Sequence, residues 1–416
     1  MDQTISLETS SVAASRGWYQ SIILKALEPM ASGYLRLELP DGSVRTYGQP
    51  GAEVSAAIRV VRKEFFQRCV FYGDIGLGEG YVDGDWETDD ITKVIVWFIL
   101  NANNCAVQSK SRPSLAVNLL NFANRVRHWL RPNSLRTSRR NISEHYDLGN
   151  EFYELWLDSS MTYSSALFSS PTQSLEEAQF AKYDALCRKL NIGPEDHVLE
   201  IGCGWGGFSV HAVKHYGCRV TAVTISQRQY DYAAARFQRE GIAESVDLRL
   251  QDYRLIEGQF SKVVSIEMME ALGDRYLETY FRKINEVLTP DGLVGLQYIT
   301  VADDRHETLR KGVDWIQKHI FPGSLLLSVG RVNEAVNATG NLSLHDLEDM
   351  GRSYQKTLHL WRDTFNEKRD RVLAMGFDER FCRKWNYYLC YCEAAFGMRN
   401  ISVVQGVYTR PNNYEL

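Results

Sequence analysis

The chain has 416 residues, of which 44% are hydrophobic and 24% are charged, and this ordinary balance indicates a globular protein with room for two or three domains. Its 47 basic and 52 acidic side chains give a net charge of −5, which argues against a general nucleic-acid-binding protein. The longest apolar run, residues 94–100, is far shorter than the ~20 residues that a membrane-spanning helix needs. The protein is therefore predicted to be soluble or to lie on a membrane surface.

The eight cysteines are scattered, and Cys390 and Cys392 are the pair that lies closest. One residue between two cysteines is not the spacing of a metal site, so no metal is predicted. The cysteines are interpreted as reduced thiols of a cytoplasmic protein. The first 16 residues contain Asp2 and Glu8 and lack an apolar core, so they predict no secretion signal.

The region from residue 17 to about residue 105 predicts a small mixed domain. Residues 34–40 alternate between apolar and polar like a strand, and Asp41 and Gly42 form a turn before residues 43–47, which predicts a hairpin. Two helices should follow, with a glycine-rich segment between them, and these three stretches are residues 54–71, 73–86 and 91–100. No group of catalytic residues stands out in this domain.

Residues 109–140 carry many basic side chains and no acid: Lys110, Arg112, Arg125, Arg127, Arg131, Arg136, Arg139 and Arg140. Apolar side chains recur at intervals of four and three, which predicts one apolar face of a helix, formed by Leu115, Leu119, Phe122, Val126 and Trp129. Such a helix can lie in an anionic bilayer interface, where each nearby basic residue adds about 1 kcal/mol of attraction. It can equally pack its apolar face on the protein as a linker helix, and both interpretations can hold together.

Residues 197–208 form the stretch around which the rest is organised. An apolar run ends in Glu200 and a glycine cluster, and a helix can begin after it, which predicts a strand, a tight turn and a helix. Glu200 with glycines at 202, 204 and 206 resembles the first motif of S-adenosylmethionine-dependent methyltransferases. Glycines 202, 204 and 207 also fit the spacing of a dinucleotide-binding loop, so the spacing alone leaves both classes open.

The rest of the chain alternates strands and helices, which is typical of a doubly wound parallel sheet. The predicted strands are residues 219–224, 246–250, 262–267 and 293–299, and the predicted helices are residues 227–240 and 276–288. Residues 403–409 predict a late edge strand.

Taken together, the chain resembles the cyclopropane fatty acid synthase family and the related mycolic acid methyltransferases over nearly its whole length. The motifs that carry the resemblance are His145-Tyr-Asp-Leu-Gly-Asn, Tyr163-Ser-Ser-Ala, Glu200 to Gly207, Val223-Thr-Ile-Ser-Gln-Arg-Gln, Gln251-Asp-Tyr-Arg, Met269-Glu270, Lys318-His-Ile-Phe-Pro-Gly, Tyr354 and residues 392–396. Residues 76–84 are similar to the N-terminal, lipid-associated domain of that family.

The resemblance implies an α/β fold in three parts. Residues 141–416 would form a Rossmann-like class I methyltransferase domain with a mostly parallel, doubly wound sheet. Residues 1–108 would form a smaller α+β lipid-associated domain, and residues 109–140, for which the basic pattern predicts an anionic membrane surface as a partner, would form the linker helix. A cytoplasmic, peripherally membrane-associated protein is expected, and dimerisation is an expectation from the family alone.

The implied reaction takes place on the double bond of an unsaturated acyl chain within a membrane phospholipid. The alkene attacks the methyl group of S-adenosylmethionine, and a carbocation forms on the chain. Loss of a proton from the new methyl group closes a cyclopropane ring, and in the family a bicarbonate ion held in the pocket accepts that proton. Positioning of the base matters because it decides which proton leaves.

By position, the resemblance assigns cofactor contacts to several groups of residues. Around the amino-acid end of S-adenosylmethionine it places Tyr163, Ser164, Glu200, Gly202, Gly204, Gly206 and Gly207. Thr224, Ser226 and Gln229 would lie by the ribose. Gln251 and Asp252 would lie near the adenine.

The catalytic pocket is where the chain departs from the family. The family has cysteine, glutamate, histidine, isoleucine and tyrosine at positions that here read Ser165, Glu270, Gln297, Ile299 and Tyr354. Loss of the histidine removes a group that titrates near neutrality, so two products stay open: a cyclopropane, or a methyl-branched alkene formed when a chain proton leaves. Cys392 matches a cysteine of the family's active site, and it could equally be a small core residue.

Two further functions stay open. A methyltransferase for a soluble small molecule would use the basic helix for packing alone, and a non-catalytic lipid or nucleoside binder would keep the loop without the reaction. The apolar residues within 310–341 would build the acyl tunnel in the family interpretation, although a plain core needs the same side chains.

Overall fold

The computed structural model describes residues 17–102 and 148–413. They divide into two compact units. The first unit contains residues 17–102 together with Val313–Trp315 and Arg369–Met398, and the second contains the other described residues. The basic segment 109–140 and the histidine of the motif at 145–150 lie outside the described residues, so the domain boundaries at 108 and 140 stay a prediction.

The first unit is built on a four-stranded sheet in the order β2-β1-β3-β4. Its strands are β1 Tyr34–Glu38, β2 Val44–Gly48, β3 Ser55–Val60 and β4 Trp86–Glu87. The hairpin of β1 and β2 is confirmed, and Leu35 and Leu37 point to the buried face as the alternation predicts. The helix expected over residues 54–71 is wrong in its first half, since β3 pairs there with β1 in parallel.

Two helices follow these strands, α1 Glu64–Asp83 and α2 Ile91–Leu100, and residues 17–27 are also helical. The glycine-rich segment was predicted to separate two helices, but most of it belongs to α1. The helix has a kink at Gly73, where the backbone is not helical. Gly78 is needed for packing, because a Cβ there would lie 2.5 Å from the indole of Trp315. The helices α12 Arg369–Ala374 and α13 Glu379–Gly397 complete this unit.

The second unit contains a seven-stranded sheet in the order β10-β11-β9-β8-β5-β6-β7. Five neighbouring strands run parallel, and these are β5 His197–Ile201, β6 Arg219–Thr224, β7 Val246–Leu250, β8 Phe260–Ile266 and β9 Leu288–Val301. The antiparallel strands are β10 Ser343–Asp349 and β11 Ile401–Thr409. The doubly wound, mostly parallel sheet is therefore confirmed.

One strand was assigned the wrong place in this sheet. The segment at 403–409, predicted as an edge strand, lies in β11 between β9 and β10, where Val403, Val404 and Val407 are buried. The edge strand is β10, which sequence analysis missed because its side chains are mostly polar and exposed, as edge strands commonly are.

Helices cover both faces of the sheet, and adjacent residues of β5 show why. Val198 and Leu199 point to opposite faces, both are fully buried, and each belongs to a separate apolar core cluster. The helices of this unit are α3 Asn150–Glu154, α4 Leu175–Lys189, α5 Gly207–Tyr216, α6 Gln227–Arg239, α7 Leu277–Val287, α8 Asp303–Lys311, α10 Val329–Thr339 and α11 Gly351–Glu367, with the short α9 Trp315–His319 before α10.

The strand order reverses at β5, since the chain continues to β6 and β7 on one side and to β8 and β9 on the other. In open sheets of this kind, ligands bind beyond the carboxyl ends of the strands at such a switch point. The loop that follows β5 is the glycine-rich stretch. Among the described residues, no helix combines the length and the hydropathy that crossing a membrane requires.

Candidate active site

The glycine-rich loop joins β5 to α5 and is held against the next strand. The backbone N–H groups of Gly202 and Cys203 both donate to the carbonyl of Val223, each at 3.0 Å. Glycines 202, 204 and 206 all have positive φ, between 53° and 85°. This conformation is one that glycine adopts without the steric cost of a Cβ.

The three positive-φ glycines differ in what surrounds them. A Cβ at Gly202 would lie 2.8 Å from Cγ of Met268, and one at Gly206 would lie 2.5 Å from the ring of Phe237. A Cβ at Gly204 would meet no described atom within 4 Å. Gly202 and Gly206 are thus required by packing, whereas Gly204 borders open space that a ligand can fill.

Glu200 is buried at the carboxyl end of β5, where it accepts a hydrogen bond from the hydroxyl of Ser209 on α5. Burial raises the pKa of Glu200 to about 8, although Ser209 and Lys182 act in the opposite direction. A buried carboxyl with a raised pKa ionises more readily when a cation binds beside it. The amino group of S-adenosylmethionine is such a cation, so the loop and Glu200 fit this cofactor.

The polar residues at the end of β6 form one hydrogen-bonded group. The hydroxyl of Thr224 donates to Oε1 of Gln229 at 2.9 Å, and Ser226 caps α6 by accepting from the backbone N–H of Gln229 at 3.4 Å. The structure therefore brings together the three residues assigned to the ribose. These contacts fix the orientation of the Gln229 side chain.

Gln251 and Asp252 follow β7, and both side chains contact their own loop. Gln251 donates to the carbonyl of Leu255 at 2.6 Å, and Asp252 accepts from the guanidinium of Arg254 at 2.8 and 2.7 Å. An adenine at this edge would meet Asp252 already paired with Arg254. Sequence reasoning did not single out that arginine.

Tyr163 belongs to an aromatic cluster made with Tyr153, Trp156 and Trp361, whose ring centroids lie 5.4 to 5.6 Å from its own. Trp205 of the glycine-rich loop joins the cluster through Tyr153, at 5.1 Å. Its indole N–H donates to the Asn150 side chain at 2.9 Å, so the last residue of the motif at 145–150 anchors the loop.

Ser164 accepts a hydrogen bond of 2.7 Å from Nζ of Lys182, a fully buried lysine on α4. Burial lowers the pKa of Lys182 to about 7, against the attraction of Glu267, Asp158 and Glu200. Sequence analysis missed Lys182 because α4 carries several charged residues at surface positions and the sequence does not distinguish the buried one.

A carboxylate that was not predicted occupies the centre of the predicted catalytic pocket. Glu267 follows β8, and its Oε1 accepts from the backbone N–H of Ser165 and from Nε2 of Gln297, both at 2.8 Å. Its Oε2 accepts from the hydroxyl of Tyr354 at 2.8 Å. Three of the five pocket residues predicted from the sequence therefore meet on one side chain. Sequence analysis placed Glu267 at the end of a predicted strand, and that position alone did not distinguish it from other acids at loops.

The other two pocket residues meet each other. Oε1 of Glu270 accepts a hydrogen bond of 2.5 Å from the backbone N–H of Ile299, so the isoleucine contributes through its main chain. Oε2 of Glu270 is buried and has no hydrogen-bond partner among the described residues. Burial, and next the charge of Glu267, raise the pKa of Glu270 to about 8, which keeps this carboxyl protonated at neutral pH.

The glycine-rich loop and the two carboxyl groups belong to one edge of the sheet. The hydroxyl of Ser265 donates to the carbonyl of Ile201 at 2.9 Å, and Gly202 packs on Met268.

Cys392, in contrast, lies on α13 of the first unit, where burial raises the pKa of its thiol, so the reactive thiolate is disfavoured there. Of the proposed tunnel residues in the second unit, Ile320, Leu325 and Leu327 are buried.

The doubly wound sheet, its antiparallel strand at the end of the chain and the acid-and-glycine loop at the switch point define a class I S-adenosylmethionine-dependent methyltransferase. Residues 133–406 match the family model described as mycolic acid cyclopropane synthetase. The chain belongs to this family.

Comparison with characterised proteins agrees with this assignment. The chain is 34% identical over 390 residues to a tuberculostearic acid methyltransferase of Mycobacterium tuberculosis, covering 89% of this chain and 86% of that protein. It is 34% identical over 359 residues to the cyclopropane-fatty-acyl-phospholipid synthase of Escherichia coli, covering 85% and 88%.

Solved structures are similar over the methyltransferase domain. A cyclopropane synthase from Mycobacterium tuberculosis superposes with a TM-score of 0.61 at 27% identity, covering 65% of this chain and 98% of that one. A mycolic acid cyclopropane synthase complexed with SAH superposes with the same TM-score at 28% identity, with the same coverage. These matches confirm the fold and the cofactor.

Proposed function

We propose that this enzyme transfers a one-carbon unit from S-adenosylmethionine to the double bond of an unsaturated fatty acyl chain in a membrane phospholipid. The observation that carries the proposal is the pair of partly buried carboxyl groups, Glu267 and Glu270, beside the cofactor loop. Methylation of an alkene needs no base to activate the nucleophile, but it does need a base to remove a proton afterwards. The two relatives described above are named for fatty acyl substrates, which supports the same substrate class.

The residues of the cofactor site would each contact a different part of S-adenosylmethionine. S-adenosylmethionine, when bound, supplies an electrophilic methyl group on a cationic sulfur. Glu200 would hold the amino group, the open side of Gly204 would admit the amino-acid end, and the aromatic rings around Tyr163 would favour a cation. Thr224, Ser226 and Gln229 would lie by the ribose, and Gln251 and Asp252 by the adenine.

Two products of this reaction remain candidates. Removal of a proton from the new methyl group gives a cyclopropane, whereas removal from a neighbouring chain carbon gives a methyl-branched alkene. Gln297 makes the methyl-branched alkene a real alternative to the cyclopropane, because the family's histidine is missing from the pocket. One relative is named as a methyltransferase, which supports transfer of a methyl group as the alternative to ring formation.

Labelled lipids would test the proposal and distinguish the products. Cells expressing the protein would be grown with methionine that carries a fully deuterated methyl group, and their phospholipids would be analysed by mass spectrometry. Two deuterium atoms retained on an acyl chain mean that the proton left the new methyl group, as in a cyclopropane. Three mean that it left the chain. Absence of label from the lipids, with normal cofactor binding, would instead indicate a soluble substrate.

Residues 109–140 supply the proposed contact with the membrane. Their eight basic side chains and the apolar face predicted from the sequence suit an anionic bilayer surface, and a cytoplasmic enzyme that reaches membrane lipids needs such a contact. Flotation of the purified protein with anionic and with neutral vesicles tests this. Equal recovery with both vesicle types would show that the basic side chains do not bind the membrane.

A further inference from the structure

We infer that Glu267 is the proton acceptor of the reaction, a base built into the chain at the place where a bicarbonate ion was expected. This inference rests on the proposed function, since it names the group that receives the proton from the acyl carbocation. It also predicts that the enzyme needs no added bicarbonate.

The first support is that three donors of the expected anion pocket contact Glu267, while the backbone N–H of Ile299 donates to Glu270. The backbone N–H of Ser165, the amide of Gln297 and the hydroxyl of Tyr354 come from three separate segments of the chain, and each lies 2.8 Å from a Glu267 oxygen. A carboxylate and a bicarbonate ion present a similar planar pair of oxygens. The Ser165 hydroxyl cannot hold a second anion, because it donates to the carbonyl of Ala166 at 2.9 Å.

The second support is the way in which the amide of Gln297 is oriented. Its Oε1 accepts from Nε2 of Gln405 at 3.1 Å, and Gln405 is fully buried. Its Nε2 is thereby directed to Glu267, and an N–H donor suits an ionised carboxylate. Gln405 is in turn held by Nζ of Lys189 at 3.0 Å. The chain thus fixes a donor to Glu267 through two further side chains.

The third support is the backbone of Glu267 itself. Its φ is 48°, a region that residues other than glycine seldom adopt, and its N–H donates to the carbonyl of Gln297 at 2.7 Å. Strained conformations of this kind persist where the surrounding structure holds them, and they cluster at functional sites. Here the strain aims a carboxylate into the donor set.

The neighbouring charges distinguish the two carboxyl groups. Both pKa values are raised by burial, but Glu267 has hydrogen-bond donors on both oxygens and the charge of Lys182 nearby, whereas Glu270 has backbone donors alone and its Oε2 has no hydrogen-bond partner among the described residues. Two adjacent carboxyls do not both ionise readily, so the negative charge resides on Glu267 and the proton on Glu270. Glu267 is then the carboxyl that can accept a proton.

The step balances without a further reactant. The alkene's electron pair forms the new bond to the methyl carbon, and the electrons of the broken sulfur–carbon bond stay on sulfur. The resulting carbocation loses one proton to Glu267, and the electrons of that C–H bond close the ring or form the new double bond. Glu267 becomes a neutral carboxylic acid and later returns the proton to solvent.

The test uses two substitutions of Glu267 and one control. Glu267→Gln keeps the shape and removes the basic oxygen, and Glu267→Gly empties the donor set while relieving the positive φ. Glu257→Gln changes an exposed glutamate of the same unit. Each protein would be assayed with S-adenosylmethionine and vesicles of monounsaturated phosphatidylglycerol, with dissolved carbon dioxide and bicarbonate removed and then with bicarbonate restored.

We expect the wild-type protein and Glu257→Gln to work equally well with and without bicarbonate. Loss of a general base should lower the rate of both Glu267 variants by about 10²-fold or more. Bicarbonate should restore part of the activity of Glu267→Gly, whose pocket is empty, but not of Glu267→Gln, whose side chain still fills it. Unchanged affinity for S-adenosylhomocysteine in calorimetry would show that both variants are folded.

Two results would overturn the inference while leaving the proposed function in place. One is a wild-type enzyme that modifies the lipid but stops when bicarbonate is removed. The other is a Glu267→Gln variant that keeps more than half of the wild-type rate. A wild-type protein that binds the cofactor and modifies no unsaturated phospholipid would overturn the proposed function, and the inference with it.

Discussion

Replacement of Gly204 by valine should abolish cofactor binding while leaving the fold intact. Gly204 has a φ of 53°, and a Cβ built there would meet no described atom within 4 Å. The added side chain would therefore not clash with the protein but would fill the open space beside the loop. If that space holds the amino-acid end of S-adenosylmethionine, the cost of the substitution falls on binding.

A matched variant at a second glycine separates the loss of cofactor affinity from the cost of backbone strain. Gly241 has a φ of 70°, and a Cβ built there would also meet no described atom within 4 Å, but it lies after α6 and outside the loop. A branched residue in this region of φ costs roughly 1–3 kcal/mol at either position. Gly204→Val and Gly241→Val should therefore lose similar stability. Only Gly204→Val should also lose affinity, by about 100-fold or more, which corresponds to about 2.7 kcal/mol.

Calorimetric titration with S-adenosylhomocysteine, together with thermal unfolding of the ligand-free proteins, would measure both quantities. The reasoning is refuted if Gly204→Val binds the ligand with the affinity of Gly241→Val. It is also refuted if Gly204→Val is far less stable than Gly241→Val, because the glycine would then be required for packing rather than for the ligand.

Two further predictions concern stability. The folded-state pKa of Glu270 is raised from 4.5 to about 8, so its contribution to wild-type stability is present at low pH and is lost as the pH rises through that window. Between pH 5 and pH 8, Glu270→Gln should gain up to about 4 kcal/mol relative to wild type in chemical denaturation, and a pH-independent difference would contradict this. In the first unit, Gly78→Ala would place a Cβ 2.5 Å from the Trp315 indole and should cost about 1–3 kcal/mol, whereas Gly17→Ala, whose Cβ would meet none of the described atoms within 4 Å, should cost little. Equal thermal midpoints for the two alanine variants would refute the packing argument.

The core of the fold could be predicted from the sequence because local signals and burial agree there. Apolar β-branched runs such as Arg219–Thr224 become strands that are buried on both faces, and the structure confirms that strand residue for residue. Predictions failed where tertiary packing overrode local preference. The glycines after Gly73 suggested a non-helical segment, yet the kink is confined to Gly73 and the following residues to Asp83 are helical, with Gly78 leaving the space that the indole of Trp315, distant in sequence, occupies.

In the candidate site, too, the sequence predicted what local signals encode and missed what tertiary contacts decide. The loop after β5 was recognisable because a tight turn that approaches a ligand requires glycines at fixed spacing. Glu267 was not recognised, since nothing local distinguishes an acid at the end of one strand from any other acid at a loop. Its significance depends on donors from Ser165, Gln297 and Tyr354, which the fold alone brings together.

The sequence by itself determined the parallel strands of the sheet and the cofactor class, because periodicity, glycine spacing and the family motifs are properties of neighbouring residues. The tertiary structure alone decided which carboxyl stands at the centre of the pocket and which carboxyl keeps its proton. Burial and hydrogen bonding set those properties, and both depend on residues far apart in the chain, such as Gln297 and Ser165, which are 132 positions apart and in contact.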